Sequence, residues 1–399
     1  MEKINRRKFI AQSALASGAF IMPQFVSALS NSLAQLPSHK KLVLIHLFGG
    51  NDGLNTIVPY ENDLYFKARP KLCVKHQSLL KLNNSLGFNA AIEPLYRLYN
   101  DGDVCIINDV GYPNPEFSHF KSAQVWYKGC ENKFIHTGWL GRYLDQLHKN
   151  EVHTHSVLLF NDFLNLTAVG DKISGIAMNN FVLNKVGVGD YSRNFVEQTQ
   201  TDEQSSNYND FIYNRARKGY QSFDYLKEHT KSKESSTNYP DNFFAKNLKT
   251  IAGLIRGNSI TKAYYTSLTG FDTHANQTGP HNNLLKLFSS ALYSFVQDLK
   301  RDNLFDDTCI MVFSEFGRSV TENAAGGTDH GTANSVYVLS GKHLMKRGFY
   351  NNYTQINDVG KYLEHQIDFR SIYATLLKKW LGANDMLILK KQYPLMDFI

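Results

Sequence analysis

The sequence predicts an α/β fold, a mostly parallel central sheet with helices on both faces, and three observations carry that prediction. Short apolar runs rich in β-formers alternate with amphipathic helical stretches along most of the chain. The runs are apolar at nearly every position and not at every second one, the pattern of strands buried on both faces. Four of them lead directly into short polar motifs, as expected where strand carboxyl ends share one edge of an open sheet and gather a site there.

The elements follow in chain order. The run Lys41–Phe48 (KLVLIHLF) reads as a central strand ending in Gly49-Gly50-Asn51-Asp52-Gly53. A helix over 90–100 precedes a strand over 104–108 (VCIIN), which enters the proline-broken loop Tyr112-Pro113-Asn114-Pro115-Glu116-Phe117 before Ser118-His119. Helices over 118–128 and 138–148 and a strand over 155–160 (HSVLLF) come next, followed by a polar excursion over 187–239, part helical and part mobile, that is poor in aliphatic residues. After a helix over 242–256, the strand over 262–268 (KAYYTSL) runs into Gly270-Phe271-Asp272-Thr273-His274. In the helix over 282–301, Leu284, Leu287, Phe288, Ala291, Leu292, Phe295 and Leu299 form one apolar stripe that marks a covering helix. The strand over 309–313 (CIMVF) ends in Ser314-Glu315-Phe316-Gly317-Arg318, and Gly326-Gly327-Thr328-Asp329-His330-Gly331 precedes a strand over 335–339 and a helix over 368–381.

The amino terminus is read separately. Asn5-Arg6-Arg7-Lys8-Phe9-Ile10 places two arginines before an apolar stretch too short for a membrane span, with small-residue cleavage candidates at Val26-Ser27-Ala28 or Ser32-Leu33-Ala34. The pattern resembles a twin-arginine signal, so residues 1–34 are expected to engage the export machinery and residues 35–399 to form a single domain in the periplasm or at the cell surface, without a permanent membrane span. The formal charge of +7 includes +3 from residues 2–8, leaving about +4 on the remainder. No basic run is interleaved with aromatics, which excludes nucleic acid as the expected partner. Cys105 and Cys309 fall within strands and read as buried apolar residues, whereas Cys73 and Cys130 lie in polar surroundings where an oxidising compartment would let them pair.

Residues that carry chemistry cluster at the strand ends. Asp272 and His274, two apart, point to one side of an extended segment, and Asp329-His330 sits among glycines that admit close backbone approach. Taken singly, each pair is also what a capped turn looks like. Together with Asp52 and Glu315 at one sheet edge, they compose a carboxylate and imidazole set suited to a divalent metal. Arg318 supplies a guanidinium fork for a phosphate or sulfate, or else a structural ion pair with Glu315, and Asn51 is a candidate donor to an oxyanion. Ser118 reads either as a helix N-cap or as a metal-oriented nucleophile, with His119 beside it as proton donor or ligand. Gly49-Gly50-Asn51-Asp52-Gly53 lacks the spacing of a dinucleotide loop, which argues against a redox protein.

As a set, Phe48-Gly49-Gly50-Asn51-Asp52-Gly53-Leu54-Asn55, Ser118-His119-Phe120, Gly270 to His274, Ser314 to Arg318, Gly327 to Gly331 and Asp368-Phe369-Arg370-Ser371 resemble a bacterial family known as domain of unknown function 1501. That family in turn looks like a distant branch of the alkaline phosphatase and sulfatase superfamily. The resemblance implies an alkaline phosphatase/sulfatase-like fold, with Asp52 near the superfamily's first-strand aspartate, Ser118 near its nucleophile, His274 at its aspartate-to-histidine segment and His330 at its last metal-binding histidine. Here Glu315-Phe316 stands where the superfamily has an adjacent Asp-His pair, and Asp272 precedes its histidine by two residues and not four. Losing an imidazole while keeping carboxylates weakens a second zinc position and favours a single metal, or a harder ion such as magnesium, manganese or calcium. The reading is therefore an exported metal-dependent hydrolase acting on a small anionic ester or glycan, specifically a phosphate or sulfate ester. The alternative is a noncatalytic periplasmic or surface binding protein on a degraded hydrolase scaffold.

Overall fold

The strand at 41–48 forms as expected and occupies the middle of the largest sheet. The computed structural model describes residues 39–147, 154–178, 208–231, 235–352 and 362–399, with a few positions between them. The twin-arginine segment and much of the polar excursion lie outside the described residues. In chain order the strands are β1 (Lys41–Phe48), β2 (Ile57–Val58), β3 (Leu79–Lys81), β4 (Gly87–Asn89), β5 (Val104–Gly111), β6 (Val157–Phe160), β7 (Ile176–Met178), β8 (Ala263–Thr269), β9 (Thr308–Phe313), β10 (Arg318–Glu322), β11 (Thr328–His330), β12 (Asn334–Leu339), β13 (Gly348–Phe349) and β14 (Ile367–Asp368).

Nine strands make the main sheet in the order β13-β5-β12-β9-β1-β8-β6-β7, with β14 also on β5. Every pairing is parallel except those of β12, which runs antiparallel between β9 and β5. The carboxyl ends of β1, β5, β8 and β9 therefore lie on one edge. Because β12 is reversed, its first residue arrives at that same edge, bringing the segment that ends in His330 with it. Two small sheets, β2-β4-β3 and β10-β11, stand apart from the main one.

Side-chain alternation along β1 divides the core in two. Val43, Ile45 and Leu47 face the helices Glu93–Asn100, Phe243–Arg256 and Thr278–Arg301, while Leu42 and Leu44 face Trp139–Leu147 and Phe369–Thr375. In Thr278–Arg301 the predicted stripe is buried at Phe288, Ala291, Leu292, Phe295 and Leu299, but Leu287 is exposed and His281 and Leu285 are buried. The helix starts at Thr278, earlier than its apolar residues suggest, and the buried face is offset toward His281 and Leu285. The helix expected over 368–381 is α-helical only to Thr375 and continues as a π-turn over Leu376–Trp380. Tyr208–Lys231, inside the polar excursion, is a long helix.

Cys105 and Cys309 are buried in strands as expected, and burial pushes the Cys105 thiol up to about 12. Cys73 and Cys130 are both free thiols: Cys73 packs beside the small core under β2, and Cys130 is buried. Among the described residues no helix is long and apolar enough to cross a membrane.

Candidate metal centre

The loop after β1 must pass against the loop after β8, and Gly49 is where they touch. Its φ of +118° is one that L side chains rarely adopt, and a Cβ there would sit 2.5 Å from the backbone nitrogen of Asp272. The bare amide it leaves donates to Glu315 Oε1 at 2.9 Å. Ser314 ties the same loop to β9, its Oγ donating to Leu47 O at 2.7 Å and accepting from the Asn51 amide at 2.9 Å.

Glu315 is buried and gathers the next shell of contacts. His46 Nε2 donates to Oε2 at 3.0 Å and His119 Nδ1 donates to Oε1 at 2.6 Å. Burial pushes this carboxyl up, but the hydrogen bonds from His119 and His46 outweigh it and hold it at about 2. Glu315 is thus an ionised acceptor, which puts hydrogens on His119 Nδ1 and His46 Nε2. The remaining nitrogen of His46 then accepts from the Tyr265 hydroxyl at 2.9 Å. The helix His119–Lys128 is locked over this group by Trp126, whose Nε1 donates to Glu315 O at 3.0 Å and whose ring stacks on Phe313 at 4.8 Å and Phe369 at 4.1 Å.

Three imidazoles converge on Asp272 Oδ1: His119 Nε2 at 3.1 Å, His274 Nε2 at 3.0 Å and His330 Nε2 at 3.4 Å. His274 Nε2 and His330 Nε2 are 2.9 Å apart. Each ring is held from behind at Nδ1, by Glu315 for His119, by the backbone carbonyl of Phe117 for His330, and by Asp329 Oδ1 at 3.3 Å for His274. A proton on each Nδ1 leaves a lone pair on each Nε2, and these lone pairs face one another and a carboxylate oxygen. His119 Nε2 shows the consequence, being buried without a hydrogen-bond partner despite its closeness to Asp272. The ligand atoms of His119, Asp272 and His330 all lie within 4.8 Å of one another.

The electrostatics agree with this arrangement. Burial pushes the Asp272 carboxyl up, but Arg318 and His119 hold it down at about 2. Burial lowers the His330 pKa, and the nearby His119, Arg318 and His274 act in the same direction, favouring its neutral form. Burial opposes charge on His119, yet Glu315 and Asp272 outweigh it and raise its pKa. A proton there does what a cation would do, and metal binding displaces such protons. Three imidazole nitrogens and one carboxylate oxygen are a donor set for zinc, manganese or iron, whereas calcium and magnesium prefer oxygen.

The structure brings His119, Asp272, His274 and His330 together, with Glu315 and Asp329 one step behind as orienting carboxylates. Asp52 is elsewhere. Its buried carboxylate receives Arg69 Nη1 at 2.9 and 2.7 Å, Gln277 and the Asn55 amide, and Arg69 holds its pKa down against burial. Asn51 is also buried, bonded through its side chain to Thr56 and His281. Arg318 is buried too, and does not pair with Glu315. It donates to the carbonyls of Gly49, Gly50, Phe271 and Thr328 and to Asp272 Oδ1 at 2.8 Å, tying three strand-end loops together. Ser118 occupies the N-cap position of its helix, but its side chain makes no capping hydrogen bond. Sequence reasoning missed His46, Tyr265 and Arg69. His46 had a signal, a lone imidazole in an otherwise apolar strand.

Residues 107–392 match the model of a family described as protein of unknown function (DUF1501). This chain belongs to that family. The span matched in this DUF1501 member includes all four converging residues and both orienting carboxylates but begins after His46, Asn51 and Asp52. No curated protein matches the sequence. Solved structures similar to it include the PsFucS1 sulfatase from Pseudoalteromonas sp., at 13% identity over 93% of this chain and 73% of that one, with a TM-score of 0.41. A protein in the alkaline phosphatase superfamily from Vibrio parahaemolyticus is similar at 11% identity over 90% and 72%, with a TM-score of 0.37. The alkaline phosphatase from the Antarctic bacterium TAB5 is similar at 11% identity over 75% and 91%, with a TM-score of 0.35.

Proposed function

We propose that this DUF1501 member is an exported metal-dependent hydrolase of phosphate or sulfate esters. The observation that carries this reading is the convergence of three Nε2 atoms on Asp272 Oδ1, each ring fixed at Nδ1 by its own acceptor. His119, Asp272, His274 and His330 would hold a divalent cation, which would supply Lewis-acid charge for an ester oxygen.

The chain's own residues do the rest. Glu315 and His46 keep the His119 ring oriented, and Arg318 anchors Asp272 at the same Oδ1 that the imidazoles approach. Phe316, with its ring centroid 4.7 Å from His119 and 4.9 Å from His330, shields one side of the centre from water. Ser118 lies between Phe117, whose carbonyl bonds His330, and His119, so its backbone is held on both sides. Its hydroxyl, released from capping, is the nucleophile in this reading. The twin arginine at Arg6-Arg7 supports delivery to the periplasm or cell surface in the folded state.

One observation favours the noncatalytic binding protein instead. Arg318 and Asn51, the groups assigned to hold the oxyanion, are both spent on internal hydrogen bonds. Elemental analysis of the folded protein, beside an Asp272→Ala/His330→Ala double variant, tests the centre, and an aryl phosphate and sulfate screen with Ser118→Ala tests the chemistry. About one equivalent of metal, lost in the double variant, with turnover abolished by Ser118→Ala, supports the hydrolase. Metal without turnover of either ester class transfers the assignment to the binding protein.

A further inference from the structure

The rim of the centre is aromatic and open. Phe120 is 77% exposed, Tyr362 49% and Phe117 42%. These rings are continuous with the converging residues. Phe117 and Phe120 flank Ser118-His119 in the chain, and the Phe117 carbonyl is the acceptor that orients His330. The Phe48 ring lies 5.9 Å from His119 and 6.4 Å from Phe120, while Tyr362 lies 5.0 Å from Phe117. Exposed aromatic side chains are costly to leave in water, and two such pairs, Phe48-Phe120 and Phe117-Tyr362, beside a polar centre mark a surface that is covered in use. Nothing in the packing requires Phe120 to be aromatic, since most of its side chain touches solvent.

We infer that the ester taken by this centre carries its anionic group on a ring-shaped organic moiety with an apolar face, which stacks on Phe120 and on the Phe117-Tyr362 pair. This rests on the hydrolase reading, because the centre supplies the anion site to which the collar is attached. The shared chemistry is a flat apolar face, which an aryl group and a pyranose both present.

The test is calorimetric titration of the metal-loaded protein with ligands that cannot be hydrolysed at the reacting bond: methylphosphonate, phenylphosphonate and a glucose phosphonate, with methanesulfonate and benzenesulfonate in parallel. The ring-bearing member of a series should bind about tenfold tighter than the methyl member, the scale of one or two aromatic contacts. Phe120→Ala and Tyr362→Ala should abolish that advantage while leaving methylphosphonate binding, metal content and melting temperature unchanged, and Phe120→Trp should retain it. A preference confined to the phenyl or to the glucose ligand identifies which ring is recognised and supports the inference either way. Equal binding of ring and methyl ligands, or a preference that survives both alanine variants, overturns the collar and leaves the centre's reading standing. Failure of every phosphonate and sulfonate to bind metal-loaded protein overturns that reading and the collar with it.

Discussion

Replacing Asp52 with asparagine distinguishes a buried ion pair from a metal ligand. Both side chains of the Asp52-Arg69 pair are fully buried, and Arg69 Nη1 contacts both carboxylate oxygens. The amide keeps one acceptor oxygen, turns the other into a donor facing donors, and leaves the guanidinium with only neutral acceptors, the carbonyls of Ser319 and Val320 and the Asn55 side chain. Stranding one member of a buried pair costs about 3–5 kcal/mol. With an unfolding entropy of roughly 2.1 cal/mol/K per residue over residues 40–399, that corresponds to a fall in melting temperature of about 5 °C. Burial pushes the Asp52 carboxyl up, but Arg69 holds it below its ordinary value, so its contribution is present above that value and is lost as the pH falls through the lowered one. The gap between wild type and variant in thermal melts should therefore be full at neutral pH and narrow below about pH 4. Metal content should not change. A variant that melts with the wild type but has lost its metal would refute the assignment of Asp52 to the ion pair.

Other perturbations probe the centre and its support. Glu315→Gln removes the ionised acceptor behind His119, and competition with a chelator should show metal affinity reduced about 10- to 100-fold. Gly49→Ala forces a side chain into a positive-φ position against the Asp272 backbone, and denaturant melts should show a loss of at least about 1–3 kcal/mol. Phe288→Ala opens a cavity in the buried face of Thr278–Arg301, costing about 3–5 kcal/mol in denaturant melts with metal stoichiometry intact.

How much of this was legible in the sequence depended on how local each cause is. β1 and β9 were readable because burial on both faces writes itself into every residue of KLVLIHLF and CIMVF. That Asp272, His274 and His330 come together was readable because each sits in a motif at a strand end, and the parallel topology delivers such ends to one edge. Asp52 looked the same by that criterion. What separates it is Arg69, which approaches from a segment with no periodic signature, and no local pattern announces that encounter. Arg318 was misjudged for a similar reason, since its partners are carbonyl oxygens on loops distant in the chain, and every residue type has a carbonyl. Glu315 and Asp329 were placed at the right edge. Only the side-chain directions, and not the residue types, decide whether a carboxylate faces the centre or the back of an imidazole.

The position of β12 has a consequence for how the protein can be made. Every converging side chain has been translated once the ribosome passes His330, yet the strand that joins β5 to β9 is still to come. A truncated product ending there would possess all four converging side chains and no continuous sheet to hold them, with the main-chain groups of β5 and β9 left open to pairing with other chains. Premature termination late in this gene would thus yield an aggregating product instead of a weakened one, and the carboxyl end is tied in separately: Phe398 is buried in the core, and its carbonyl accepts the amides of Met345 and Lys346.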